Sequence, residues 1–200
     1  MHVAKASREP VVNFIENIFS KMLEDKRQIV GFKSNQTIGD KGELIQELIS
    51  EVKIHYPTTH QDERGTLCEI YNRTWGFSAP SDLHAYVVTV RTGKAKGWAV
   101  HKMQTDVYFF FQGISKLVLY DNRGSSCTHR MINELFFSEV NRALVSIPPG
   151  IFHAIEAVGE FDSLIFNLPS HPYNHKDPDK YTLPLSNDLI PYSFDYKKGF

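Results

Sequence analysis

Cysteine is scarce in this chain. Only Cys68 and Cys127 occur among 200 residues, far apart and outside any zinc-type spacing. A disulfide framework is excluded as the organising device, and a reducing cytosol is the expected compartment. Net charge is equally slight. The 22 Lys and Arg nearly balance 23 Asp and Glu, leaving a formal −1 at pH 7. Nothing in that balance points to nucleic acid or to an anionic membrane surface as a partner. Long apolar runs are missing too, since no stretch approaches the roughly 20 residues that a membrane helix needs. Met1 to Pro10 holds no apolar segment of signal-peptide type. Internal repeats and low-complexity tracts are absent, and no βαβ pattern follows Pro10. What is present is a hydrophobic fraction of 42%, enough for one real core in a chain of this length.

Two segments near the N-terminus carry a helical period. The first, Pro10 to about Arg27, sets Val11, Phe14, Ile15, Ile18, Phe19, Met22 and Leu23 on one face. The second, about Lys41 to Val52, repeats the pattern with Leu44, Ile45, Leu48 and Ile49. From about Lys53 the rhythm changes to short strands divided by turn residues. The expected strands are Lys53–Tyr56, Thr66–Tyr71, His84–Arg91, Trp98–Lys102, Val107–Phe111, Lys116–Tyr120, Met131–Phe137, Ala143–Ile147, Phe152–Ala157 and Ser163–Leu168. Many short strands at even spacing argue for a sandwich or barrel. Beyond Pro169 the chain is rich in Pro, Asp, Asn and Tyr without a period, which suits a tail that wraps over a barrel. The expected architecture is mainly β, a barrel or jelly roll over 53–200 with a short helical extension over 1–52.

The chemistry-bearing residues gather in two segments. One runs from Gly93 to Gly113 and contains His101, Gln104 and Asp106; the other is Ile147-Pro-Pro-Gly-Ile-Phe-His153. Alternation along a strand turns Ala99 and His101 to the same face. Asp106 can meet His101 only across a turn. Two histidines and a carboxylate with open positions would suit Fe(II), Mn(II) or Ni(II), which makes His101, Asp106 and His153 a candidate metal set. The competing reading is a polar pocket without metal. His55, His60, His84, His129, His171 and His175 are scattered and receive no role. The aromatic run Tyr108 to Phe111 reads as core, and Asp121 to Gly124 as a plain hairpin turn.

The first segment resembles the first cupin signature, with Gly93, His101, Asp106 and Gly113 at signature positions, Ala99 in place of the first histidine and Asp106 in place of the glutamate. Pro148, Gly150 and His153 match the second signature, whose closing Asn is Ala157 and whose opening Gly is Arg142. From Asp62 to Phe194 the chain more closely resembles the dTDP-4-dehydrorhamnose 3,5-epimerase family, a metal-independent branch of these barrels. The matching pieces are Asp62 to Glu69, Lys96-Gly97-Trp98-Ala99, Gln104 to Gly113, Ile147 to His153, Asn187-Asp188 and Ile190-Pro191-Tyr192. The resemblance implies a cupin-like barrel and proton abstraction beside a ketone by a general base, with a tyrosine acid and a lysine near the developing enolate. Carried over by position, the base falls on Ala99, the acid on Phe166 and the lysine on Asp106.

The expectation is therefore a divergent member that keeps a sugar-nucleotide pocket for dTDP-4-keto-6-deoxy sugars of polysaccharide biosynthesis. His101 or His153 would act as a relocated base, Asp188 would orient it, and Tyr173 would be a relocated acid. Arg64, Glu69, Lys96, Trp98 and Gln104 would hold substrate; Arg64 suits a diphosphate because its planar fork matches phosphate oxygens. No cofactor is expected, apart from the divalent metal of the competing reading. A non-catalytic sugar-binding protein is the third reading. Pairing through exposed strand edges predicts a cytoplasmic homodimer.

Overall fold

The computed structural model describes residues 34–41, 45–77 and 84–194. Two compact units divide the chain, Met1–Gln46 and Glu47–Phe200. In the first, the Ile45 N–H donates to the Thr37 carbonyl (2.8 Å). The helix expected from Pro10 to Arg27 lies outside the described residues. Among the described residues no helix is long and apolar enough to cross a membrane.

The second unit is built of short antiparallel strands. They are β1 (Lys53–His55), β2 (Thr59–Asp62), β3 (Gly65–Cys68), β4 (Tyr86–Val90), β5 (Ala95–Val100), β6 (Asp106–Gln112), β7 (Ser115–Asp121), β8 (Ile132–Phe137), β9 (Ala143–Ile147), β10 (Ile151–Ala157), β11 (Ser163–Asn167) and β12 (Tyr181–Thr182). One sheet has the order β1-β9-β6-β11-β4 and the other β12-β5-β10-β7-β8, while β2 and β3 form a separate hairpin. This is a jelly-roll sandwich of the cupin type. All ten strands expected from the sequence form, their ends shifted by up to three residues. Two more were not foreseen, β2 and β12.

The second expected helix, over 41–52, is not what the described residues 45–52 form. Ile49 N–H donates to Asn133 Oδ1 (2.8 Å) and Ser50 N–H to Thr128 Oγ1 (2.9 Å), so side chains of the β7–β8 loop and β8 take the amides that a helix would satisfy internally. Ile49 and Val52 sit in the barrel core, three residues apart along a turn rather than a helix. Glu51 completes that turn with φ of 70°.

The main core lies between the sheets and includes Tyr108, Phe110, Leu117, Phe137, Val145, Ile151 and Ile165. Phe110 and Phe137 stack with ring centroids 4.5 Å apart. Burying each such side chain contributes about 1.5–3 kcal/mol. Both sheets are also covered outside. On one, Phe77, Val107, Phe109, Leu144 and Leu168 form a second cluster with Tyr71 and Trp75. On the other, Trp98, Val118, Tyr120, Phe152 and Ala154 lie under the tail residues Ile190, Tyr192 and Phe194. Hence β10 is buried along its whole length.

Two glycines fix the approach of the motif segments. Gly97 has φ of 145°, and a Cβ there would clash with the Ala154 Cβ, so only glycine lets β5 lie this close to β10. Gly150 turns at φ of 82° and donates its N–H to the His101 carbonyl (2.9 Å). That bond ties the two motif segments together.

Candidate functional site

Register places the histidines. His153 on β10 is the cross-strand partner of Ala99 on β5, and His101 follows one residue beyond the end of β5. Asp106 opens β6 in the opposite sheet, and Tyr108 points the same way two residues on. The ends of the two sheets thus deliver imidazoles from one side and a carboxylate with a phenol from the other.

Asp106 is the centre. Its Oδ2 lies 3.2 Å from His101 Nε2 and 3.2 Å from His153 Nε2. Tyr108 Oη donates to the same oxygen at 3.0 Å, while Gln104 and Asn167 side-chain amides donate to Oδ1 at 2.7 and 3.0 Å. Asn167 also donates to Tyr86 Oη (2.7 Å). The imidazoles stack, centroids 5.7 Å apart at 21°. Each ring is fixed from behind: His101 Nδ1 meets the Asp179 carbonyl and His153 Nδ1 the Ile151 carbonyl. A carbonyl oxygen only accepts, so both Nδ1 atoms carry hydrogen and both Nε2 atoms face the carboxylate. His153 Nε2 is within ion-pair distance of Asp106 yet off the line of a hydrogen bond, which leaves it a buried atom without a true partner.

Electrostatics follow from this crowding. Burial works against the Asp106 charge, but the two histidines outweigh it and hold its carboxyl well below the usual range. Burial would lower His101, yet the Asp106 contact prevails and raises it above the ordinary histidine value. Tyr108 is pushed far up by burial and by the Asp106 charge, and Tyr86 to about 12 by the same causes. The result is an ionised carboxylate, an imidazole biased toward its cation and two phenols that stay protonated.

A cavity of about 330 Å³ opens onto this group, lined by His84, Tyr86, Ala99, His101, Gln104, Asp106, Tyr108, His153, Tyr173, His175 and Lys180. A second hollow of about 340 Å³ shares Tyr86, Ala99, Tyr108, His153 and Lys180 and adds Lys96 and Thr89. Of the residues singled out in the sequence, His101, His153, Asp106, Gln104 and Tyr173 therefore meet at one cavity, with Lys96 in the adjoining hollow. The others lie elsewhere. Asp188 is exposed in the tail, and the carboxylate touching the histidines is Asp106. Trp98 is fully buried outside the cavity, because alternation turns it outward when Ala99 faces in, and its Nε1 donates to the Leu185 carbonyl (3.3 Å). Arg64 and Glu69 are exposed on and just after the β2–β3 hairpin, where Arg64 pairs with Asp62. Phe166, where the sequence resemblance put the acid, packs on Phe111 outside the cavity (5.7 Å).

His84 and His175, given no role in the sequence, line the cavity, and Tyr86, Asn167, Asp179 and Lys180 were not singled out for the site either. Asn167 and Tyr86 sit in strands with no motif around them, and the tail residues lie in a stretch without a period. The three ligand-type atoms of His101, Asp106 and His153 lie within 4.8 Å of one another, so this group could hold a divalent cation by two nitrogens and one oxygen.

No family model matches the sequence. Among characterised proteins, the chain is 28% identical over 138 residues to a probable low-salt glycan biosynthesis epimerase, Agl13, of Haloferax volcanii, covering 68% of this chain and 88% of that one. It is 28% identical over 152 residues to the spore coat polysaccharide biosynthesis protein SpsL of Bacillus subtilis, covering 74% and 97%. Among solved structures, a dTDP sugar isomerase from Desulfovibrio desulfuricans G20 superposes with a TM-score of 0.67 at 22% identity, covering 72% of this chain and 91% of that one. The dTDP-4-dehydrorhamnose 3,5-epimerase of Bacillus anthracis, solved with TDP and PPi bound, gives 0.66 at 18%, covering 78% and 91%. This chain has the dTDP-4-dehydrorhamnose 3,5-epimerase fold. Its cavity holds Ala99 and Asp106 where the sequence resemblance leads one to expect a base and a lysine.

Proposed function

We propose that this protein is an epimerase or isomerase of dTDP-4-keto-6-deoxy sugars in polysaccharide biosynthesis, working through a relocated proton-transfer group. The observation that carries this reading is the cluster of His101, Asp106 and His153 at the wall of the cavity. The relatives named as glycan epimerase and polysaccharide biosynthesis protein support the pathway class. The hydrogen beside a ketone is weakly acidic, so its removal needs a positioned base and a donor or cation near the ketone oxygen. In this reading the two histidines act with Asp106 as one unit that accepts the proton. Asp106 takes the orienting role that the sequence pattern gave to Asp188. Tyr173 returns a proton to the other face, and Lys180 supplies positive charge. Lys96 holds the nucleotide diphosphate. Gln104 fixes the carboxylate rather than the sugar.

The chain is further proposed to work as a cytoplasmic homodimer; the extension expected over 1–52 is narrowed to 1–46, because Ile49 and Val52 pack in the barrel core. The β2–β3 hairpin pairs with neither sheet and leaves Arg64 and Leu67 exposed, which supports a role for it, with Glu69, at a second subunit. Sedimentation of the purified chain tests this: a monomer at working concentration removes it.

The test of the chemistry is exchange. Incubated in D2O with dTDP-4-keto-6-deoxyglucose, the protein should place deuterium beside the ketone, as seen by NMR of the sugar. Absence of exchange, with binding retained in a thermal-shift assay, would make it a sugar-binding protein instead. Stoichiometric iron, manganese or nickel in purified protein, lost together with exchange on chelation, would move the role of His101, Asp106 and His153 to a metal centre.

A further inference from the structure

The turn that joins β5 to β6 carries His101 and Gln104, and both reach Asp106. It has little support of its own. Three successive amides in it, those of Lys102, Met103 and Gln104, point away from the sheet ladder. All three are taken by one side chain from the tail. Asp179 Oδ1 accepts from Lys102 N–H (2.9 Å), and Oδ2 accepts from Met103 (2.8 Å) and Gln104 (2.9 Å). The same residue's main-chain carbonyl receives the His101 Nδ1–H. Asp179 thus grips the turn with its carboxylate and the imidazole with its backbone. A carboxylate that accepts several backbone N–H groups is held ionised; burial works against that charge here, and the three amides outweigh it.

His153 supplies an internal contrast. Its Nδ1 is fixed by Ile151, two residues earlier on its own strand (3.2 Å). Its orientation is local, whereas that of His101 is imposed by a residue 78 positions away. The two histidines share one carboxylate oxygen but depend on different parts of the chain.

We propose that Asp179 is a positioning residue for the reaction inferred above. It fixes His101 with Nδ1 protonated and Nε2 turned to Asp106, and it holds Gln104 against the other carboxylate oxygen. The role rests on the proposed proton-transfer function, and the test separates the two. In the full-length protein labelled with ¹⁵N-histidine and held at a pH where His101 is neutral, His101 should show a protonated Nδ1 and a distinct, unprotonated Nε2, the signals being assigned by their loss in His101→Gln. In Asp179→Ala that signature should disappear from His101 while the His153 signals stay. Deuterium exchange into dTDP-4-keto-6-deoxyglucose should fall in kcat by about 10- to 100-fold, the usual effect of removing a partner that orients a functional imidazole, with KM moving far less. Asp179→Asn, whose amide oxygen can keep part of the grip, should lie between wild type and the alanine variant in both readouts. If Asp179→Ala fails to fold, Asp179→Asn carries the test by the same two measurements.

A wild-type His101 signature in the folded variant overturns the proposal. So does a rise in KM with kcat unchanged, which would mean that Asp179 only anchors the tail residues lining the cavity. If the wild-type protein shows no exchange at all, the proposed function fails, and the His101 nitrogen shifts still decide the role of Asp179.

Discussion

Two buried carboxylates lie near the same end of the sandwich, and their surroundings differ in kind. Asp121, at the end of β7, is fully buried and accepts from Arg123 N–H (3.0 Å), Arg123 Nε (2.9 Å), Ser126 Oγ (2.6 Å) and Thr128 Oγ1 (2.7 Å). Arg123 then reaches the Ser50 carbonyl and Glu51, and Thr128 takes the Ser50 amide. Its partners are a fixed cation, a backbone amide and two hydroxyls. Asp106 is equally buried, but its partners include two imidazoles and it borders a cavity. Both carboxyls are driven down in pKa, burial opposing and partners prevailing. A buried, fully bonded carboxylate therefore says little about function by itself. Titratable neighbours and access to a cavity set the proposed working group apart from the structural one.

The largest expected effects break this contrast in opposite directions. Asp121→Ala leaves Arg123 facing a void and should cost about 3–5 kcal/mol of stability in urea unfolding, the range for removing one partner of a buried pair. Turnover per folded molecule should stay at the wild-type level. Asp106→Asn should reduce deuterium exchange by about 10²- to 10⁴-fold, the usual contribution of a positioned acid–base group. If both variants lose turnover equally, the distinction collapses.

A pH series sharpens the comparison. His101 is raised in the folded state, so its contribution to stability is complete below about 6.5 and is lost as pH rises through its elevated value. Asp106 is depressed, so its contribution is present above about 3.8 and is lost as pH falls through its lowered value. Stabilisation by this cluster is thus greatest between about pH 4 and 6.5, whereas the Asp121 turn has no alkaline limb. Urea midpoints of wild type and Asp106→Asn across that range should differ most in the middle and converge on the alkaline side. Activity runs the other way, because a base must be neutral: kcat/KM should rise with pH through a value above 6.5.

The smallest effects concern single donors. Tyr108→Phe and Ser126→Ala each remove one hydrogen bond to a charged carboxylate, and each should cost about 1.5–3 kcal/mol. Only Tyr108→Phe should displace the pH–rate profile. Equal profiles would show that Tyr108 packs without tuning Asp106.

Much of the barrel was legible because alternation of apolar residues is a local signal. β8 (INELFF) shows it plainly, burying one face and exposing the other. β2 was invisible since its four residues, THQD, contain nothing apolar and are all exposed. The helix expected over 41–52 failed for a related reason: Leu48, Ile49 and Val52 have helical spacing, but a chain dipping into a barrel can use the same spacing along a turn. The meeting of His101 with His153 was legible through two motifs of known separation. Asp106 was singled out as a metal ligand or a substituted lysine position, yet its place between the histidines depends on how β5 turns into β6. Asp179 left no trace. One aspartate in DPDKY looks like any turn residue until three distant amides are seen to converge on it.

The tail over Trp98 also sets an order of events. Synthesis runs from the N-terminus, and domains form as their parts emerge. Both sheets except β12 are complete once Asn167 has been added, and Trp98 then still lies bare to water. Tyr173, His175, Asp179 and Lys180 come afterwards, together with the aromatic residues that shield the indole. The nascent barrel thus covers the indole and closes one wall of its cavity last, after His101, Asp106 and His153 are already in place.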